Sequence, residues 1–503
     1  MVIDYSTSWQ YVLALLPEIV LAIWAMIVLL LDVFQKGDRS EPSSPGITWI
    51  SLLGIGLAAA ANLWLLTLRE SGVAGVIAID HFRVFSNFLF LLAAALFVLI
   101  STRYLEDEHL RLGELYVLVL LATVGMMIFA GSRDLMVIFL GLELMSVPVY
   151  VLTGAQRRSP RSAEGALKYF LLGAFSSAFF LFGIAMVWGG ARSTNLALVA
   201  TAIGVDGLGA NPLVRIGMAL LAVGFAFKVA AVPFHMWTPD AYEGAPAPIA
   251  GFMAAGVKAA AFAAFLRVFL TAFPQLWDTW GAMVFWLAVI TMVAANLMAL
   301  VQPSVKRMLA YSSVAHAGYL LVALAAASTV GAASFLFYLI VYTLMTVGAF
   351  AVLLAVAGPG EEWLSVESYA GLGWRHPLLG VVMTVFLLSL AGFPFTGGFI
   401  GKVFILRAAV EKHFVVLAVI MVLASLVSYW YYLRVAWYMW FRDAPADGGP
   451  LPVLPGALKA TLVVAAALVV LLGIFPGVFL GLAQQSAASL LPTPSAAVGL
   501  IGR

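Results

Sequence analysis

The chain has 503 residues, of which 64% are hydrophobic and only 10% charged, a balance far outside that of soluble domains and diagnostic of a polytopic membrane protein. Its 26 Lys and Arg against 24 Asp and Glu leave a net charge of +2, which points to neither a nucleic acid nor a polyanionic substrate. There is no cysteine, which excludes thiolate-held iron–sulfur clusters, disulfides and CxxC redox pairs in this chain, so any electron transfer belongs to partners.

Windows of about 20 apolar residues, the length that crosses a hydrocarbon core of about 30 Å, recur about fourteen times. They begin near Tyr11, Ile47, Ser86, Leu115, Leu135, Gly165, Val214, Pro248, Trp280, Val305, Ala332, Pro377, Phe414 and Leu458. All are expected to be helices, because a spanning backbone must satisfy its own hydrogen bonds. The first run lacks a basic leader and reads as a retained helix, not a cleaved signal.

Basic residues set an expected orientation. Odd-numbered loops hold Lys36 and Arg39, Arg103 and Arg111, Arg157, Arg158 and Arg161, Lys306 and Arg307, Arg375, and Arg442 with Lys459. Even-numbered loops are poorer, with Arg69, Arg83, Arg133, Arg192, Arg215 and Lys412. The positive-inside rule then puts the odd loops in the cytoplasm and both termini outside. The stretch FRDAPADGGPLPVLPG, short and rich in Pro and Gly, reads as a connector.

The seventh segment, LLAVGFAFKVAAVPFHMW, and the twelfth, VFLLSLAGFPFTGGFIGKVF, echo each other: each is apolar, interrupted around a proline, and carries one lysine near the break. They lie five helices apart, which is the spacing a repeated five-helix unit gives, and interrupted helices in repeats mark ion sites in transporters. The expected organisation is one integral membrane domain over 1–503. It divides into a three-helix segment (1–111), two inverted five-helix repeats (112–273 and 274–441) and a connector with the last helix (442–503).

Ionisable side chains at mid-membrane cost about 2.5 to 3.5 kcal/mol on insertion scales and therefore mark pathways or interior ion pairs. Glu143 in IFLGLELMSVPVYVL, Lys228 in the seventh segment, Lys258 in GFMAAGVKAAAFAAF and Lys402 in the twelfth are the deepest. Glu164 and Lys168, spaced i and i+4, read equally well as an interfacial pair at a helix start. Lys306 and Arg307 are more simply anchors at the positive-inside face. His235 and His316 have the chemistry for proton relay, but a buried histidine is as often a satisfied core residue. Glu18, beside Pro17, suits a local structural role. A lysine near a glutamate changes its charge preference with its neighbour's protonation, so a Glu143–Lys228 pair would couple to proton movement. No acyl-transfer triad, phosphate-cradling loop or metal-ligand cluster is visible.

The segments GLELMSVPVYVL, SAEGALKYFLLGAFSSAFFLFG, FKVAAVPFHMWTPDAYEGAPAPI, GVKAAAFAAFLR, VKRMLAYSSVAHAGYLL and AGFPFTGGFIGKVFI together resemble the antiporter-like membrane subunits of respiratory complex I over nearly the whole chain. The resemblance implies proton translocation driven by quinone reduction elsewhere. Glu143 and Lys228 would be the first coupling pair and Lys258 and Lys402 the later lysines. Glu164, Lys168, His235, Lys306 and His316 would be secondary positions on the proton path. Lysine at 258 and at 402, and the lack of a long lateral helix, resemble the N branch more than the L or M branches. The implied cofactors, FMN, iron–sulfur clusters and quinone, would sit in other subunits. The implied partners are neighbouring membrane-arm subunits, and the implied location is a bacterial inner membrane. A subunit of a multi-subunit Na+/H+ antiporter shares this architecture and remains the alternative; a passive scaffold is a third.

Overall fold

A backbone that crosses lipid has no water to bond with, and this chain answers with helices almost throughout. The computed structural model describes residues 2–34, 46–70, 75–108, 110, 112–358, 361, 364–444 and 454–490. Lys36, Arg39, Arg111 and most of FRDAPADGGPLPVLPG lie outside them. The first six crossings are α1 (Leu16–Phe34), α2 (Gly46–Trp64), α3 (His81–Asp107), α4 (Leu112–Gly131), α5 (Leu135–Thr153) and α6 (Pro160–Ala191). The seventh is split into α7 (Pro212–Lys228) and α8 (Trp237–Gly244). The eighth comprises α9 (Ala247–Phe252), a π-helical turn over Met253–Val257, and α10 (Lys258–Ala272). Next come α11 (Trp277–Leu300), α12 (Val305–Ala325) and α13 (Thr329–Ala357). The twelfth is again split, into α14 (Pro377–Ala391) and α15 (Gly397–Glu411); α16 (Val415–Phe441) and α17 (Gly456–Ile474) follow.

Twelve helical stretches among the described residues are long and apolar enough to span a bilayer, and the two split crossings bring the total to the expected fourteen. Starts are set by capping chemistry. Asp134 accepts from the Met136 and Val137 N–H groups at the head of α5, and Ser159 followed by Pro160 opens α6. Asn211 followed by Pro212 opens α7 in the same manner, and Ser304, Ser328 and Thr396 cap α12, α13 and α15. Helices outside the expected segments, too short to register as spans, include Leu196–Gly204, between α6 and α7, and α18 (Gly477–Ala488), which carries the chain on beyond Phe475–Pro476.

Two short strands, β1 (Val2–Ile3) and β2 (Arg69–Glu70), pair in parallel, and the Phe82 N–H donates to Ser489 Oγ at 3.1 Å. The N-terminal residues, the α2–α3 connection and the end of α18 therefore share one side, as an even number of crossings requires. Successive crossings alternate in direction, so the split seventh and twelfth, five apart, run antiparallel to each other.

Burial sorts the helices. Every residue of the best window in the eighth crossing is buried, as is 94% of that in α12 and in α13, so these three form the interior around which the others pack. Arg83, expected in a loop, is instead wholly buried inside α3, where its Nη2 bonds both Glu18 carboxylate oxygens at 2.8 Å and the Ala14 carbonyl. The helix begins at His81, five residues before the expected start, and brings the guanidinium under α1. Glu18 is thus structural. Next to it, Asp80 takes a two-pronged bond from Arg267 of α10 at 2.8 and 2.9 Å. Burial opposes the Asp80 charge, but Arg267 and Arg133 outweigh it and hold the carboxyl down at about 2.

Candidate functional site

Lys228 is the last residue of α7. The chain then turns through Ala230, whose φ is +61°, and the backbone groups freed by the break find partners one by one. Ala231 N–H reaches back to the Ala226 carbonyl at 2.8 Å, Val232 N–H donates to Thr291 Oγ1 of α11 at 3.0 Å, and Trp237 Nε1 donates to the Phe227 carbonyl at 3.2 Å. The ammonium donates to Ser146 Oγ at 2.8 Å and Tyr150 Oη at 3.1 Å, both on α5, and lies 5.3 Å from the centre of the Tyr150 ring.

The expected Glu143–Lys228 ion pair does not form. Glu143 sits one turn before Ser146 on α5 and is only half buried; it accepts from Ser177 Oγ of α6 at 2.5 Å. Ser146 and Tyr150 stand nearer the end of α7, so Lys228 meets hydroxyls while the carboxylate turns to the neighbouring helix. What links the two charges is the shared face of α5, on which residues three and seven apart align.

The π-turn in the eighth crossing ends at Lys258. Such turns insert a residue into the ladder and re-aim the side chains that follow. Small residues flank it, and a Cβ on Gly256 would come within 3.1 Å of Ala93 Cβ. Lys258 Nζ donates to the Ser313 carbonyl at 2.7 Å and to Ser313 Oγ. Three residues further along α12, His316 is bonded at both ring nitrogens: Nδ1 to Tyr338 Oη at 2.5 Å and Nε2 to Tyr432 Oη at 3.1 Å. Tyr432 also meets Ser312 Oγ. Three residues beyond His316, the Tyr319 ring lies 4.7 Å beneath Lys402 Nζ. One face of α12, Ser313–His316–Tyr319, thus runs from one buried lysine to the other.

The second break is built differently. Gly392, at φ +91°, stops α14, and Thr396 caps α15. Lys402, on the second half-helix, reaches back to donate to the Leu390 and Ala391 carbonyls at 3.0 and 2.8 Å. The cation closes the C-terminal end of α14, where unpaired carbonyls and the helix dipole favour positive charge. Tyr429 Oη donates to the Gly392 carbonyl at 2.8 Å.

The secondary positions separate. Lys306 is not an exposed anchor: it is 1% exposed and donates to the Glu243 and Ala245 carbonyls at 3.0 and 2.6 Å and to the Glu361 carboxylate. Lys168 does pair with Glu164 at 2.6 Å, and also with Asp240 at 2.7 Å. Asp240 and Glu243 bind Arg307 at 3.0 and 2.5 Å, and this cluster borders a cavity of about 370 Å³. His235 is half buried in the first break, and among the described residues its ring bonds to none of the lysines or carboxylates. Sequence reasoning missed Glu361, Asp240 and the tyrosines 150, 319, 338 and 432. The spacing of Ser, His and Tyr in SSVAHAGY was the available signal for one of them.

Residues 132–428, which include every position named as a candidate, match the profile described as NADH:quinone oxidoreductase/Mrp antiporter, TM. NADH-quinone oxidoreductase subunit N of Trichlorobacter lovleyi is 47% identical over 475 residues, 94% of this chain and 96% of that one. The chain belongs to the subunit N family of NADH-quinone oxidoreductase. Another member of the subunit N family, from Sorangium cellulosum, is 46% identical and covers 94% of this chain and 98% of its own. Among solved structures, a chain of respiratory complex I from Thermus thermophilus superposes with a TM-score of 0.78 at 36% identity, covering 93% of this chain and 99% of that one. A chain of the Mrp complex from Dietzia superposes at 0.84 over 99% of this chain with 20% identity, a likeness of fold alone. What separates subunit N from that fold relative is therefore sequence, not architecture.

Proposed function

We propose that this subunit N translocates protons in the membrane arm of NADH:quinone oxidoreductase, driven by quinone reduction in other subunits. The observation that carries the reading is the α12 face that joins Lys258 to Lys402 through Ser313, His316 and Tyr319. Each of these two buried ammoniums is met by neutral oxygens, with no carboxylate bonded to either among the described residues. A charge arriving nearby changes which protonation state such a group favours, and the neighbouring imidazole and hydroxyls offer the proton a next position. Lys228, Lys258 and Lys402 exchange the proton, and Glu143 responds through the face it shares with Ser146. Lys306, His316, Lys168 with Glu164, and His235 are secondary positions.

Moving one charge against 100 mV requires about 2.3 kcal/mol, so the lysine row needs an external drive. FMN, iron–sulfur clusters and quinone belong to partner subunits, and the membrane-arm neighbours are the mechanical link. The membrane is the bacterial inner membrane, with the basic odd loops cytoplasmic and both termini periplasmic. The two repeats, 112–273 and 274–441, each contribute one broken helix. The matched profile is shared with Mrp antiporters and the Mrp chain adds only a likeness of fold, whereas subunit N relatives share close to half of the sequence.

The test is Lys258→Ala in the assembled complex, with proton uptake measured in inverted vesicles during NADH oxidation. Uptake should fall at least threefold; wild-type uptake by a correctly assembled variant refutes the proposal. Sodium-driven proton exchange with no NADH present would support the antiporter instead.

A further inference from the structure

A cavity of about 740 Å³ opens on the odd-loop side, where α3 ends, α4 begins and the α5–α6 connection turns; Glu108, Glu114, Gln156, Arg157 and Arg158 are in its wall. A line of hydrogen bonds leads inward from it. Gln156 Nε2 donates to Glu108 Oε2 at 3.3 Å and to Tyr104 Oη at 2.9 Å. Tyr104 Oη donates to Glu361 Oε1 at 2.8 Å, and Glu361 Oε2 receives Lys306 Nζ. The Ala247 N–H, at the head of the eighth crossing, fixes Glu361 Oε1 at 2.6 Å.

A buried ion pair that merely tied a loop down would need no hydroxyl between itself and a cavity roomy enough to hold water. Lys306 has its three ammonium protons engaged, one on the carboxylate, and it begins the helix whose inner face reaches Lys258. Ser313, the acceptor of Lys258, is seven residues further, about 10 Å along α12.

We infer that Tyr104 and Glu361 form the proton-uptake route of this subunit, loading Lys306 from the cavity beside Glu108. The inference rests on the translocation reading above. In one passage, protonated Glu361 gives its proton to the neutral Lys306 amine, leaving the carboxylate–ammonium pair of the structure. After Lys306 passes a proton on along α12, the Glu361 carboxylate takes the Tyr104 hydroxyl proton as Tyr104 takes one from a hydronium ion in the cavity, which becomes water. Gln156, an amide, carries no proton itself. Its bond occupies the Tyr104 oxygen, so it must swing aside for water to arrive, and it acts as the stopper.

The experiment uses the whole complex in inverted vesicles, comparing Glu361→Gln, Tyr104→Phe and Lys258→Ala for protons taken up per NADH oxidised. The inference predicts at least a twofold loss for the first two, and partial recovery of Glu361→Ala on adding formate, a small carboxylic acid that a purely structural role would not respond to. If Lys258→Ala loses uptake while Glu361→Gln and Tyr104→Phe retain it, the route is wrong and the translocation reading stands. If all three pump normally, both fall. Should the Glu361 variants fail to assemble, Tyr104→Phe decides, because it removes one oxygen and leaves the ring in place.

Discussion

The two interrupted crossings solve one problem in opposite ways. At the first break the lysine precedes the interruption, and its ammonium is carried to another helix, where Ser146 and Tyr150 receive it. The carbonyls it leaves behind are served by Trp237 and local turns. At the second break the lysine follows the interruption and itself serves the carbonyls of the helix it has left. Lys402 is therefore tied to its own crossing and Lys228 to a neighbour. A cation bonded across helices reports the position of α5 and, through it, of Glu143, whereas a cation capping its own broken helix is set by that break. Under the proposed translocation, the first suits a receiver of a signal and the second the terminus of a fixed row.

Substitutions that strike one break and spare the other sharpen this contrast, and the largest effect falls on the second. Gly398→Ala would place a Cβ 1.9 Å from the Ser389 carbonyl oxygen, which only backbone movement relieves. Its cost is about 3 kcal/mol, read as a lower melting temperature of the purified complex; an unchanged melting curve contradicts the tight apposition of α14 and α15. Ser146→Ala removes one of two hydroxyl acceptors of Lys228 and leaves a buried ammonium short of a partner, at about 1.5 to 3 kcal/mol. Proton uptake should fall while the Lys402 end is untouched, and equal uptake by Ser146→Ala and wild type would show that the α5 contact carries no signal.

Smaller still, Thr291→Val strands the Val232 N–H at the first break, worth about 1 to 2 kcal/mol. Amide exchange at Val232 should quicken, and protection as slow as in the wild type would mean another acceptor replaces Thr291. Tyr429→Phe takes away one hydrogen bond to Gly392, about 0.5 to 1 kcal/mol, because Lys402 still holds the adjoining carbonyls. If it destabilises as much as Ser146→Ala, the second break is less self-sufficient than its geometry implies.

Legibility in the sequence tracked chemistry that is local. Each crossing was visible because burying an apolar window is a property of about 20 consecutive residues. Prolines marked both breaks, and Lys228, Lys258 and Lys402 stood out as charges in the wrong solvent. The i,i+4 spacing of Glu164 and Lys168 gave a pair that does form. Arg83 was misassigned because a basic residue near a segment end resembles a loop anchor; only the helix start at His81 and the presence of Glu18 on α1 show otherwise. Lys306 was misjudged for the same reason, its partner Glu361 being 55 positions away.

The sequence by itself determined the solvent of this protein, the number of its crossings, the two interruptions and which charged groups lie at depth, since each follows from the transfer cost of a short run of residues. Only the tertiary structure decided what each charge touches. Lys228 meets Ser146 and not Glu143, and Lys258 meets Ser313, because a hydrogen bond requires donor and acceptor within about 3 Å. These partners lie 82 and 55 residues apart, brought together by the packing of helices that no local pattern encodes.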